Sequence, residues 1–412
     1  VHGRYFDARF WDARYWLASG AVITTTPIAS DRTISWDVEP SANRIAWALT
    51  GRYGPVSYGF RYELRTIGYQ FLEDVTLAVI SSGISLNNDR DVAWRLDLQL
   101  DPAALDDAGQ PVTIDPLRDV VAVHMDLLVD GEFSQSLPLG LYVLVRPLTS
   151  YSPAGAIQSV EGYDPSWLLA NATTTTTYSV ASGTNYVTAM AAVVAACNAE
   201  IRHAFPTTTK TTPIAMSWPA GTAWIRILGE LAAGINHYLP YADAEGVIRT
   251  RESQDLHLRT ADVTYRDDEF VLDQQLEEDQ ADIWINQVVA VVDDPARGVL
   301  SAVRTNADPS SPISTVVTGR TLTRVVEADR AADQATLNAI AEQMLRDAAG
   351  QLTHAKLTTS LDPRRGNHEV YDLEVEGVYD GVKWWARNWT MSCVIGGRMT
   401  HDISRTASPA VS

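Results

Sequence analysis

Lysine occurs at only three of the 412 positions, Lys210, Lys356 and Lys383, and the other basic residues are arginines. Against 32 Lys plus Arg stand 51 Asp plus Glu, a formal charge of −19. Coating the outside of a nucleic acid needs clustered basic side chains, so that class of function is disfavoured. Cysteine is scarce too. Cys197 and Cys393 lie far apart and fit no metal spacing, so they are expected as buried free thiols rather than a disulfide. No apolar run approaches the ~18 residues of a spanning helix. No membrane span is expected, and no basic stretch leads into an apolar core at the N-terminus as in a secretory leader.

The usual chemical motifs are missing as well. There is no phosphate-binding glycine loop, no dinucleotide fingerprint and no H-E-x-x-H pair. The eight histidines are scattered and form no local ligand pair. What remains is an ordinary globular composition, 46% apolar and 20% charged, long enough for two to four domains.

The first twenty residues read VHGRYFDARFWDARYWLASG, with Asp-Ala-Arg at 7–9 and again at 12–14. Tyr5, Phe6, Phe10, Trp11, Tyr15 and Trp16 are too many aromatics for so short a segment to bury against itself. Two readings stay open. The arm packs on its own domain, or it docks on a neighbouring subunit, since aromatics and Arg are common interface anchors. These six are the candidate subunit-interaction residues.

From 58 onward strands dominate. DVAWRLDLQL (91–100) alternates, with Val92, Trp94, Leu96, Leu98 and Leu100 on one side. VVAVHMDLLVDGEFSQSL (120–137) predicts a strand and a hairpin turn at Asp130-Gly131. LGLYVLV (139–145) predicts a further strand. With 61–67, 75–80 and 157–163 this makes about six strands over some hundred residues, the pattern of a barrel or sandwich.

The middle differs. Asp164-Pro165 signals a helix start. Thr184 or Asn185 can cap a helix whose stripe is Tyr186, Met190, Val193, Val194, Cys197 and Ile201. WIRILGELAAGINHYLPYADAEGVIRT (224–250) predicts a helix laid on a hairpin that turns at 243–246. Strands resume at 281–292 and 298–305, followed by a polar connector at 306–320. An amphipathic helix begins at an Asp333 cap and ends at Gly350. The last strands are expected near 353–361, 369–376 and 383–395.

Each candidate for chemistry has a plainer reading beside it. Asp243 and Glu245 suit a glycosidase acid and base, but a D-x-E-G sequence is also a common turn. His237, at a helix end, suits dipole capping better than catalysis. GPVSYG (54–59) is one residue too long for a nucleophile elbow. The acidic run 267–282 lacks the glycine of a calcium loop and reads as a solvated face.

The order of the pieces resembles the tail-tip or baseplate hub proteins of tailed bacteriophages, the tail-associated or minor tail protein family, over about 60–400. The resemblance is carried by LPLGLYVLV (137–145), VEGYDPSWLL (160–169), SVASGTNYVTAM (179–190), WIRILGELAAGINHYLPYADAEGVI (224–248), INQVVAVV (285–292), NADPSSPISTVVTGR (306–320) and the helix 333–349. It implies a mainly β fold with an α+β insertion, in which two tail-tube-like β-barrel domains flank a small α/β unit. The corresponding segments are an N-terminal extension at 1–57, a first barrel at 58–165, the insertion at 166–260, a second barrel at 261–402 and a tail at 403–412.

The same resemblance implies a homotrimeric ring that joins a sixfold tail tube to a threefold tip. A distal tail or tail-tube protein would lie above it, with tip, fibre or tape-measure proteins below. DNA would pass through without specific binding. The protein would be a non-enzymatic virion component, assembled in the host cytoplasm, with no cofactor and no metal. Some relatives carry an appended peptidoglycan hydrolase or fibre; none is expected after the last strands of this chain. The channel wall is expected to be net negative, since a basic wall would trap the phosphate backbone. Two rival readings remain: a cell-wall glycoside hydrolase using Asp243 and Glu245, and a carbohydrate-binding tail protein suggested by the 12 Trp.

Overall fold

The computed structural model describes 33–39, 44–50 and everything from 56 on except 106–109, 111, 113, 116–117, 130–131, 154, 255–258, 267–270, 278–284, 295–297, 351–352, 376–378 and 406–412. For 33–39, 44–50, 56, 132, 271–277, 294, 347–350, 353, 375, 379–382 and 405 it describes the backbone alone. The candidate residues Tyr5, Phe6, Phe10, Trp11, Tyr15 and Trp16 therefore lie outside the described residues, as does most of the acidic run 267–282.

Strands β1 (Thr33–Glu39) and β2 (Arg44–Thr50) form a separate antiparallel pair. The first β unit follows: β3 (Val56–Arg65), β4 (Phe71–Asp74), β5 (Val79–Asn87), β6 (Trp94–Leu100), β7 (Val120–Val129), β8 (Glu132–Ser152) and β9 (Gly155–Tyr163). The alternation in 94–100 is realised: Trp94, Leu96, Leu98 and Leu100 are buried while Asp97 and Gln99 are exposed. The strand expected at 75–80 begins later, because Thr76–Ala78 coils into a short 3-10 turn.

The two strands expected at 132–137 and 139–145 are one long strand. Pro138 stands opposite His124 where the β7–β8 register shifts, so its missing N–H falls at a bulge. Gly140 beside it takes φ +136, and a Cβ there would collide with the Tyr142 ring. The PLG sequence bends a continuous strand instead of ending it.

The insertion comes next, with α1 (Ser166–Asn171), β10 (Tyr178–Val180), α2 (Tyr186–Cys197), β11 (Met216–Trp218), α3 (Trp224–Ala233), β12 (Tyr241–Ala242) and β13 (Ile248–Arg249). Asn185 is the cap of α2, accepting from the Val187 and Thr188 amides at 2.9 and 3.2 Å. Helices α2 and α3 share one core of Met190, Val193, Val194, Ile227, Leu228 and Leu231. Trp224 is only half-buried and Ile225 takes a core position in its place.

The remaining elements are β14 (Val263–Arg266), β15 (Val271–Glu277), β16 (Gln287–Asp294), β17 (Gly298–Thr305), α4 (Thr315–Thr318), β18 (Thr323–Glu327), α5 (Gln334–Gly350), β19 (Thr353–Ser360), β20 (Val370–Val375), β21 (Tyr379–Ser392) and β22 (Arg398–Arg405). The expected second barrel is interrupted. Strands β17, β16 and β18 form their own sheet, and α5 packs on it through Leu337, Ala341 and Leu345 against Val288, Ala290 and Val292. Asp333 caps α5, accepting from the Thr336 amide at 2.7 Å. The connector 306–320 contains α4, capped by Ser314 and ended by Gly319 in the left-handed conformation.

All other long strands join a single 13-stranded sheet in the order β15-β19-β22-β21-β5-β6-β9-β8-β7-β3-β4, with β20 on β21 and β14 on β20. The class is mainly β with a helical insertion, and among the described residues the sheet does not close on itself. Strand β21 is the splice. Its first half pairs with β20, and Asn388–Ser392 pair with Asn87–Gly83 of β5. One strand thus belongs to both β units.

Candidate functional site

Asp243 and Glu245 do not form a catalytic pair. Asp243 Oδ1 accepts from the backbone amides of Glu245 and Val247 at 3.0 and 2.9 Å, and its other oxygen accepts from Arg249. Glu245 is exposed. The turn serves as a joint. Gly246, at φ +74, sits so close to the first β unit that a Cβ would come within 2.7 Å of Leu141 Cβ. Ala244 packs against the core of that unit.

His237 caps no helix as a cation. Burial, and then the Lys210 charge, push its pKa down to about 4. Its ring instead meets the Thr250 hydroxyl at 3.1 Å. Ser57 lies exposed within β3, away from any strand-to-helix elbow. Cys393 is buried and Cys197 half-buried; both are free. Among the described residues no cluster of three His, Cys, Asp or Glu could hold a metal ion. No described helix is long and apolar enough to cross a membrane.

The structure assembles two joints and two ionic clusters that the sequence did not reveal. At the first, Tyr69 is sandwiched between Arg65 of β3, 4.3 Å from its ring centre, and Arg202 of the insertion, 4.2 Å away on the other contact. At the second, His368 stacks on Tyr238 at 4.4 Å, and Tyr241 meets it edge-on at 5.2 Å. Burial, then Arg251, Arg259 and Arg387, bring the His368 pKa to about 3, so the stack is between neutral rings. Arg259 donates to the His368 carbonyl at 2.7 Å. Tyr69 and His368 both hold positive φ, +73° and +52°, which the surrounding contacts must enforce. A positive φ on a non-glycine residue leaves no mark in the sequence, so neither joint was readable from it.

A buried ionic knot lies within the second β unit, just before β20. Arg365 reaches Asp362 and Glu369, each at 3.1 Å. Burial pushes the Asp362 carboxyl up, but Arg365 and Arg364 together outweigh it and hold it below the usual range. Burial dominates at Glu369, raising it to about 7 against the opposing pull of Arg365. His401, within the same core, bonds Thr359 at 3.0 Å and Tyr371 at 3.1 Å, and burial lowers it to about 3. A second ionic row lies on β3 and β7, where Arg61 and Arg65 flank the buried Glu63. His124 stands 3.4 Å from Glu63, yet burial and the two arginines bring it to about 4, so this is a neutral contact rather than an ion pair. Each ionic cluster lies within one β unit, one among β3 and β7 and the other before β20, and braces that unit internally.

Solved structures match this arrangement along most of its length. The tail protein from Neisseria meningitidis MC58 superposes with a TM-score of 0.58, covering 86% of this chain and 97% of that one at 12% identity. The fold is that of a phage tail protein. The 43 kDa tail protein of prophage MuSo2 from Shewanella oneidensis gives 0.55 at 14% identity, over 85% and 98% of the two chains. Prophage tail protein gp18 from Listeria monocytogenes EGD-e gives 0.52 at 6% identity, over 83% and 94%. No protein-family model and no curated protein matches the sequence.

Proposed function

We propose that the chain is a structural protein of a phage-type tail, the hub of its tip, and not an enzyme. The reading rests chiefly on one observation: the whole described architecture, rather than one domain of it, matches tail proteins over 97% and 98% of their length. The absorption of Asp243 into a turn and of the buried ionic groups into internal ion pairs favours the same reading. In this proposal the hub is a homotrimer. Its two β units per subunit make a pseudo-sixfold ring that joins a sixfold tube to a threefold tip, with tail-tube protein above and tip, fibre or tape-measure proteins below. Edge strands β15 and β4, at the two ends of the main path of the 13-stranded sheet, would be covered by neighbouring subunits. DNA would leave through a channel whose wall is net negative, and the 1–20 segment would dock on another subunit.

The test is native mass spectrometry and electron microscopy of the purified chain, alone and with the adjacent tail-tube protein. Trimers forming an open threefold ring are expected. Monomers or dimers in both samples, with no ring in the micrographs, would overturn the trimer. Deleting 1–20 should leave melting nearly unchanged while preventing assembly onto tubes. If the deletion unfolds the protein instead, the segment belongs to its own core.

A further inference from the structure

Two apolar surfaces of the chain stand open. The first is the outer face of the β17-β16-β18 sheet. Val288, Ala290 and Val292 turn toward α5, so Val289 and Val291 point the other way. Val303, Val289 and Val325 stand side by side across the three strands, and Val299 extends the row along β17. Val299 and Val325 are 71% and 64% exposed. Apolar area of this kind, left in water, marks an interface. Among the described residues of these strands, the charges on this face are two acids: Asp293, opposite Val299, and Glu327, beside Val291. Both are exposed. The basic residues Arg304 and Arg324 pair in register with Val288 and so turn to the α5 side.

The second surface is the end of the β8–β9 hairpin. The pairing of β7 with β8 stops at Val120 and Val143, and that of β6 with β9 begins at Leu100 and Gln158. Among the described residues, 148–152 therefore pair with β9 alone and 155–157 with β8 alone. A bare two-stranded ribbon is marginally stable at best in water. This one nevertheless exposes Leu148 and Tyr151, at 66% and 84%, and Ile157 with them. Leu148, opposite Ser159, and Ile157, opposite Ser150, share one face of the ribbon. Residues 146–158 hold one charge, Arg146, and no acid. The Arg146 guanidinium is largely exposed and stands 3.4 Å from Glu161, a carboxylate that Arg95 and Tyr163 also hold.

We propose that the ribbon of one copy of this chain docks on the valine face of the next copy, laying Leu148 and Ile157 on the valines and setting Arg146 against Asp293 and Glu327. The inference rests on the homotrimer of the proposed function and names the contact that holds it. The occupant is a second copy because the two surfaces complement each other: both are apolar, one carries only a base and the other only acids. Neither surface suits itself. Two valine faces would bring acid against acid, and two ribbons would bring Arg146 against Arg146. The contact is therefore heterologous, ribbon to face, and such a contact closes into a ring when its rotation allows.

The test follows assembly of the full chain by analytical ultracentrifugation and native mass spectrometry, alone and with the adjacent tail-tube protein. Leu148→Asp and Val325→Asp should each raise the concentration needed for trimers by about tenfold or more, because each buries an unpaired carboxylate in the contact. Far-UV circular dichroism should stay that of the wild type, since both positions are exposed in the single chain. Arg146→Glu and Glu327→Arg should each weaken trimers about fivefold. Placed together in one chain they should recover most of the loss, since the exchanged charges again meet across the contact. Wild-type trimers that neither Asp variant weakens would mean that another protein covers the valine face; that result overturns the contact and leaves the trimer standing. Losses that simply add in the doubly exchanged chain overturn it as well. A wild type that stays monomeric in both samples overturns the trimer and the contact together.

Discussion

The indoles of Trp94 and Trp389 meet edge to face, with ring centres 5.1 Å apart and planes at 88°. Trp94 comes from β6 of the first unit and Trp389 from β21, which the second unit shares. Both are almost fully buried in one core with Met391 and Met399. Trp94 Nε1 also donates to Asn367 at 2.7 Å, a residue 273 positions away. Two β units joined by a continuous strand, a shared core and this contact have no hinge between them.

Trp389→Ala is therefore expected to destabilise both units, not one. The cavity and the lost edge-to-face contact should cost about 3–5 kcal/mol. Guanidinium unfolding followed separately by a probe in each unit should show both midpoints falling together. A shift confined to the second unit would mean that the seam is an ordinary domain boundary.

The Tyr69 sandwich makes a smaller and more local claim. Tyr69→Ala removes two cation–π contacts worth about 0.5–2 kcal/mol each and leaves a non-glycine residue at φ +73°. A loss of roughly 1–3 kcal/mol is expected. Limited proteolysis should become faster at the insertion while the β units stay resistant. Unchanged cleavage rates would show that Gly246 on Leu141 suffices as the joint.

Much of this architecture was legible because local rules agree with the global fold. The alternation of 94–100, the Asn185 and Asp333 caps, and the Asp243 turn are set by residues close in sequence, so periodicity and turn chemistry find them. The single strand 132–152 was misread because Pro138 and Gly140 look like a turn. Only the partner strand β7, whose register slips opposite them, makes the site a bulge. The separate β17-β16-β18 sheet was hidden for a related reason: strand pairing is a long-range choice.

The Asp243 geometry also makes a prediction about activity. Asp243→Asn should weaken the bond to Arg249 and lower stability by about 1–3 kcal/mol, the range for hydrogen bonds to charged groups. Glu245→Gln, at an exposed turn position, should change stability by no more than about 0.5 kcal/mol. Release of soluble sugars from purified peptidoglycan should be at background for the wild type and both variants. A wild-type rate that vanishes in Glu245→Gln at unchanged stability would restore the glycosidase reading.

The buried histidines predict how stability responds to acid. Burial, the leading cause at each, lowers His124 and His237 to about 4 and His368 and His401 to about 3, from an ordinary value of 6.5. Each stays neutral when folded and gains a proton when unfolded below about pH 6.5, so each destabilises the fold as the pH drops toward 4. Two buried carboxyls act in the opposite sense. Glu369 is raised to about 7 and Asp164 to about 6, again chiefly by burial. The folded chain retains their protons, and the stability they contribute is lost as the pH rises through those values. Near pH 5 four histidines stand against two carboxyls, which leaves about two protons taken up on unfolding. The urea midpoint should therefore fall steadily from pH 6.5 to 4.5. In His401→Gln, which keeps an amide able to bond Thr359 but cannot titrate, the fall should be shallower by about one proton. A midpoint that rises on acidification would mean that the carboxyls dominate, and an unchanged slope in His401→Gln would mean that His401 is already protonated in the fold.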